Sequence, residues 1–362
     1  MIVTGRIVTP NGVREGRVTV EGYRIKSVRR GGAIEDQWVF PGFVDIHNHG
    51  GGGRTFTTGD VSQARGAAAF HLAHGTTTLL ASLVSSPFEV MREAVLAYRP
   101  MVEEGVLAGI HFEGPYLSRA RCGAQNPSYL RDPDLTELTE LIKLANGSLK
   151  MVTIAPERPG ALEAIAMLRE HGIVVAIGHT DGAFEQVLAG VAAGATVATH
   201  LFNGMRPLNH RDPGPIVALL GSQQVVCELV ADGVHLHDAV LTYAARSAGA
   251  WRTALITDAM AAAGRPDGEY DLGGLKVIVS EGAARLKEGG SIAGSTLTMD
   301  AAVRRAVGAG LSMPEVAKMA ATTPAGVLGL SKHISPDRDA DLVVLDDQLR
   351  VKRVMRAGQW IS

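Results

Sequence analysis

The sequence predicts an α/β fold, a (β/α)8 barrel of the TIM type carrying a small β-sandwich built from both chain ends. Three observations carry this expectation. Eight short apolar runs recur through the middle of the chain, most are separated by segments of helical character, and both ends alternate polar and apolar residues as short strands do.

Residues 1 to 40, which open "MIVTGRIVTPNGVREGRVTVEGYRIKSV", read as short alternating strands with turn glycines. Residues 336 to 362, including "DADLVVLDDQLRVKRVMRAGQWIS", have the same character, so the two ends are expected to share one sandwich. The barrel is expected over residues 41 to 335. Its runs are "VFPGFVDIH", "TTTLLASLV", "VLAGIHFEG", "LKMVTIAPE", "IVVAIGHT", "ATVATHLFN", "VVCELVADGVH" and "TALITDAM". Most are continuously apolar, as strands covered on both faces must be. Segments such as "DVSQARGAAAFHLAHG", "SPFEVMREAVLAYRPMVEEG", "DLTELTELIKLANG" and "ALEAIAMLREHG" have helical periodicity or helix-rich composition, and several end in the glycine that favours a helix C-terminus. A further β-like stretch, "DGEYDLGGLKVIVSEGAARLKEGGSIAGS", is expected as an insert near 268 to 295 that either extends over the barrel mouth or packs beside it.

At 362 residues, 46% hydrophobic and 20% charged, the chain is long enough for one large domain and a smaller one. A net charge of −2 gives no global attraction to nucleic acid or to an anionic membrane, so small molecules are the expected partners. The apolar runs are interrupted well before the length of a membrane span, and no leader pattern opens the sequence, which points to a cytoplasmic protein. Cys122 and Cys227 lie far apart and are expected as reduced thiols rather than a disulfide framework.

Polar residues fall where several runs end: His47 and His49, Glu113, His179, His200, His235 and Asp258. In a barrel of this kind the C-terminal strand ends carry the active site, so these seven residues are expected to converge. His47 and His49 stand at i and i+2 and present two imidazoles on one face. Such a pair can be two hydrogen-bonded polar residues at a strand edge. The Pro-Gly entry before it, and the glycine-rich turn after it where a backbone can approach a ligand, argue for a chelate, and taken alone the pair leaves both readings open. Imidazole and carboxylate ligands suit a divalent ion, zinc with iron as the alternative, and the five residues His47, His49, Glu113, His179 and His200 suffice for one or two ions if Glu113 bridges. Asp258 is then left to accept a proton from water and return it to a leaving amine.

Taken together, "PGFVDIHNHG", "HFEGPYL", "GHT", "THLFNGM", "DGVHLH", "TDAM" and "AGSTLTM" resemble the N-acetylglucosamine-6-phosphate deacetylase family of the amidohydrolase superfamily, in order and over nearly the whole chain. The resemblance implies metal-dependent hydrolysis of the N-acetyl group of a phosphorylated amino sugar, releasing acetate. It implies a shared metal site at Glu113, His179 and His200, a second ion at His47 and His49, and Asp258 as acid and base. It also implies substrate contacts at Ala124, Gln125, Asn203, Gly204, Arg211, His235, Ile292, Ala293 and Gly294, with part of the pocket contributed across a homodimer interface. Among these, the Arg211 guanidinium suits bidentate phosphate binding, with Arg206 the less favoured choice. Relatives often carry a histidine before Asn126-Pro127, where this chain has Gln125, which is expected to keep a neutral contact to a sugar hydroxyl. The alternative activity is deacetylation of N-acetylgalactosamine-6-phosphate or another N-acyl substrate. A hydantoinase or dihydroorotase is disfavoured because no lysine ends the third or fourth run, and a non-catalytic barrel would be expected to lose Asp258 or a ligand. The loop "YLSRARCGAQNPSYL" is expected as a lid, with Cys122 an inert thiol in it, and the histidines at 71, 74, 171, 210, 237 and 333 read as helix or loop residues.

Overall fold

The computed structural model describes residues 1–361. Alternation decides the end domain: Val3 and Ile7 on the strand Ile2–Thr9 point inward while Ile2, Thr4 and Arg6 face outward or lie at the rim. That strand joins Gly12–Glu21, Arg24–Arg30 and Trp38–Pro41, together with Leu342–Leu345, Val351–Arg356 and Gln359–Trp360 from the other chain end, in one seven-stranded sheet. The sheet curls until its two halves face each other. The Ile25 N–H donates to Arg338 O at 2.8 Å, the Ala340 N–H donates to Tyr23 O at 2.8 Å, and Val18, Val20, Ile25, Val39, Leu342, Val344 and Met355 fill the space between.

The run "VFPGFVDIH" is divided between two sheets. Trp38–Pro41 pairs with Ile2–Thr9 and with Leu342–Leu345, and beyond Gly42 the chain enters the barrel as Phe43–Asp45. Seven further parallel strands follow: Thr76–Val84, Gly109–Glu113, Leu149–Ile154, Val174–Ile177, Val197–Ala198, Val226–Val230 and Thr253–Ile256. The eighth meets the first through the Asp258 N–H, which donates to His47 O at 2.9 Å, and through Thr257 Oγ1, which donates to the Asp45 carboxylate at 2.6 Å. All nine residues of Thr76–Val84 are buried, which is why that run carries no alternation; each large apolar side chain so covered contributes about 1.5–3 kcal/mol. Each strand is followed by a helix, beginning with Val61–Ala73 and ending with Met299–Gly308. Asp60 and Asp134 accept backbone N–H groups at the starts of the first and third helices, satisfying donors that have no partner within the helix.

The late insert consists of Gly268–Leu272, Leu275–Ser280 and Ala283–Leu286, an antiparallel three-stranded sheet. Its Leu272, Val277, Val279 and Ala284 pack on Val84, Met260 and Ala262, which places it at the barrel mouth as part of the wall rather than beside it. The glycines after His49 form a tight hairpin, Gly50–Gly51 against Arg54–Thr55. A Cβ on Gly51 would lie 2.5 Å from His71 Nε2 and 2.6 Å from Phe70, so the close approach that glycine permits is to the first helix and not to a ligand. Both cysteines are free thiols, and no helix of the described residues is long and apolar enough to cross a membrane.

Candidate active site

The strand ends bring six side chains that could ligate a metal into two groups: His47, His49 and Asp258, and Glu113, His179 and His200. In the second group Glu113 Oε1 lies 3.0 Å from His179 Nε2 and 2.9 Å from His200 Nε2, and the two nitrogens are 3.1 Å apart. In the first, His47 Nε2 and His49 Nε2 are 3.1 Å apart, and Asp258 Oδ1 stands 3.6 and 3.3 Å from them. Glu113 closes this group as well, Oε1 at 3.4 Å from His47 and Oε2 at 3.3 Å from His49. Ligands about 2.0–2.1 Å from a tetrahedral ion are separated from one another by about 3.3 Å, so both sets match the edges of such a polyhedron. The second group offers three ligands and leaves a fourth position open.

The outward nitrogens of all four histidines are occupied. His47 Nδ1 donates to Glu228 Oε2 at 3.1 Å, His49 Nδ1 to Ser82 O at 3.1 Å, His179 Nδ1 to Arg121 O at 2.8 Å and His200 Nδ1 to Asn203 O at 3.2 Å. Each partner accepts and cannot donate, so every imidazole keeps its hydrogen on Nδ1 and turns the Nε2 lone pair inward. Lone pairs facing one another at 3.1 Å repel unless a proton or a cation lies between them. Charge points the same way: among the described residues, histidines are the only cationic side chains within 4 Å of the buried carboxylates of Glu113, Glu228 and Asp258. Burial pulls the His47 imidazole down, but Glu113 and Glu228 outweigh it and hold it well above its ordinary value. His49 is likewise pushed up to about 9 against burial, by Asp258 and Glu113. The donor set therefore fits divalent ions, which would take the place of these protons.

Three of the six ligating residues, His179, His200 and Asp258, have positive φ of 46°, 24° and 48°. Non-glycine residues there cost about 1–3 kcal/mol each and persist only where the surroundings hold them. Gly204 packs against His179, and a Cβ at that glycine would meet His179 Nδ1 at 2.8 Å.

A cavity of about 250 Å³ opens over the centre, lined by His49, Glu113, Ala124, Gln125, His179, His200, Asn203, Gly204, His235, Asp258, Ile292 and Gly294 among others. Asp258 turns Oδ2 toward His235 Nε2 at 3.7 Å, and His235 Nδ1 is held by Asp232 Oδ2 at 2.7 Å. Three expected substrate contacts fall elsewhere or differ. Arg211 is on an exposed loop outside the cavity, against its neighbour His210, because the chain from Pro207 to Asp212 projects into solvent. Arg206 is tied to Asp181 and Asp212 instead. Ala293 is fully buried in the core of the insert and does not reach the cavity. Gln125 lines it, but its amide already binds protein groups, Glu113 Oε2 and the Ser85 N–H, both at 2.6 Å.

Sequence reasoning missed the layer beneath the ligands. Glu228 accepts from His47 Nδ1 and also from the His200 N–H at 3.1 Å. His111 bridges Ser82 Oγ and Thr153 Oγ1, at 2.9 Å each, and burial together with the neighbouring His47 holds it well below its ordinary value. Asp232, which orients His235, was also not singled out. The available signal was a lone polar residue inside an apolar run, as in "VVCELV" and "GIHFEG". Of the other histidines, His71 is buried under the Asn48–Gly50 turn, His74 faces Asp300 and His237 caps a helix.

The Amidohydrolase family model matches residues 38–361. The chain is 37% identical over 331 residues to an N-acetylglucosamine-6-phosphate deacetylase of Lysinibacillus sphaericus, covering 89% of this chain and 85% of that protein. It is 36% identical to an N-acetylgalactosamine-6-phosphate deacetylase of Escherichia coli O157:H7, with coverage of 89% and 87%. A mutant N-acetyl-D-glucosamine-6-phosphate deacetylase from Mycobacterium smegmatis, solved in complex with N-acetyl-D-glucosamine-6-phosphate, superposes with a TM-score of 0.97 at 42% identity, covering 99% of this chain and 98% of that one. The chain belongs to the amidohydrolase family.

Proposed function

We propose that the protein hydrolyses the N-acetyl group of N-acetylglucosamine-6-phosphate, giving glucosamine-6-phosphate and acetate. The observation that carries this reading is the arrangement of two ligand sets sharing Glu113, with Asp258 a member of one set and on the cavity wall. A divalent ion, zinc or iron, held by Glu113, His179 and His200, and a second held by His47, His49, Asp258 and Glu113, would supply Lewis acidity that polarises the amide carbonyl and lowers the pKa of water. Asp258 accepts the proton as the water oxygen bonds to the carbonyl carbon, then delivers it to the amide nitrogen as the carbon–nitrogen bond breaks. His235, its Nδ1 held by Asp232, lines the cavity beside Asp258 and is the proposed donor to the developing oxyanion.

Among the described residues the cavity wall carries no lysine or arginine for the sugar phosphate. Arg211 is the proposed phosphate ligand, delivered into the cavity of a second copy in a homodimer. Leu208, 47% exposed beside Arg211 on the same projecting loop, supports that use of the loop. A phosphorylated sugar does not cross membranes, which favours a cytoplasmic site of action. A second reading, N-acetylgalactosamine-6-phosphate as the preferred epimer, is favoured by the Escherichia coli relative, whose identity is only one percentage point lower. The test is acetate release by metal-replete protein from both phosphorylated epimers and from unphosphorylated N-acetylglucosamine. Preference for the glucosamine phosphate supports the proposal; preference for the galactosamine phosphate replaces it with the second reading.

A further inference from the structure

We propose that Gln125 is a positioning residue of the metal centre, through which the loop over the barrel mouth holds the Glu113 carboxylate in the posture that serves two ions at once. The inference rests on the two-site reading above. Gln125 is 3% exposed and makes two short contacts of opposite sense. The Ser85 N–H donates to its Oε1 at 2.6 Å, and only an oxygen can receive that bond, so the amide orientation is fixed. Its Nε2 must then face Glu113, and it donates to Oε2 at 2.6 Å. The reverse orientation would set an amide oxygen against a carboxylate and two donors against each other.

The consequence lies in how Glu113 divides its oxygens. Oε1 is within 3.0 Å of both His179 and His200 Nε2, whereas Oε2 faces His49 Nε2 at 3.3 Å. A donor on Oε2 fixes the carboxylate plane and keeps that oxygen at the His47–His49 set. Without it, the carboxylate can tilt so that Oε2 leaves the His47–His49 set, while small compensating changes in the other Glu113 torsions keep Oε1 near His179 and His200. The same loop also secures His179: Arg121 O accepts from its Nδ1 at 2.8 Å, and the Ser118 N–H donates to His179 O at 2.9 Å. Two ligands on different strands are thus tied to one loop, and by linkage, whatever binds the ligands more tightly must also order the loop.

The variant Gln125→Met keeps length and apolar bulk but has no donor. Zinc affinities are measured by chelator competition on protein first stripped of metal, and hydrogen exchange of backbone amides 118–125 is followed with and without zinc. The wild type is expected to take two ions and to gain loop protection on binding them. In Gln125→Met the first ion is expected to bind within a few-fold of wild type, the second about 10- to 100-fold more weakly, and the gain in loop protection to shrink. Wild-type affinity for both ions in Gln125→Met overturns the inference. So does a wild type that binds two ions with no change in loop exchange, a result that needs no variant to fold. A wild type that takes fewer than two ions under saturating zinc overturns instead the two-site reading on which the inference stands.

Discussion

Replacing Glu228 by Gln removes one charge from beneath the proposed metal ligands and almost nothing else. Its Oε2 accepts from His47 Nδ1 and from the His200 N–H, both at 3.1 Å, and the residue is completely buried. An amide oxygen still accepts, but a hydrogen bond to a charged group is worth about 1.5–3 kcal/mol against about 0.5–1.5 kcal/mol for a neutral one. The loss is therefore about 1–1.5 kcal/mol per bond. Only the His47 bond acts directly on a ligand nitrogen; the other reaches the backbone of His200. Affinity for the ion at His47, His49 and Asp258 should fall about five- to tenfold, near the lower end of what outer partners of metal ligands contribute. Affinity at Glu113, His179 and His200 should change less. Calorimetric titration of zinc into metal-stripped Glu228→Gln resolves the two steps. An unchanged second step, or equal weakening of both, would refute the assignment of Glu228 as the support of His47.

Three further outcomes follow from the same geometry. Asp258→Asn keeps size but cannot take up a proton, so with ion content matched to wild type, kcat should drop by at least about a hundredfold while substrate still binds; near-normal turnover would exclude the role. Arg211→Ala should raise KM for the phosphorylated sugar by about 10- to 100-fold, the worth of a charge-assisted bond, and leave an unphosphorylated analogue unaffected; equal losses would exclude phosphate contact. Asp300 is buried, yet hydrogen bonds from His74, Thr298 and Arg304 outweigh burial and bring its carboxyl down to about 2. A lowered folded-state value stabilises the fold above the ordinary carboxylate pKa near ~4, and that stabilisation is lost as pH falls toward 2, amounting to about 2 kcal/mol. Urea unfolding of metal-stripped wild type and Asp300→Asn should therefore show a stability gap that closes between about pH 5 and pH 2, and a gap independent of pH would contradict the assignment.

The barrel was legible because its strands are buried on both faces, which leaves unbroken apolar runs, and because its chemistry sits where those runs end. His47, His49, Glu113, His179, His200 and Asp258 were all visible for that reason, and the structure brings them together. The supporting layer was not visible. Glu228 and His111 lie within strands, where the inward face of the barrel forgives a polar group only if another buried group satisfies it, and that partner comes from a strand distant in sequence. Residues on loops were the least legible. Gln125 follows the loop into the core, and Arg211 follows another into solvent, and no periodicity distinguishes these paths. The division of "VFPGFVDIH" between two sheets was hidden for a related reason: both halves are buried and apolar, and only Pro41-Gly42 marks the change of sheet.

The central claim is that two buried ligand sets sharing Glu113 hold the divalent ions on which deacetylation depends. It is tested most directly by titrating metal-stripped protein with zinc while acetate release from N-acetylglucosamine-6-phosphate is followed at each step. The account predicts no turnover in the stripped protein, and turnover that rises with bound ion until occupancy approaches two per chain. Full turnover by protein verified to be free of metal would contradict it.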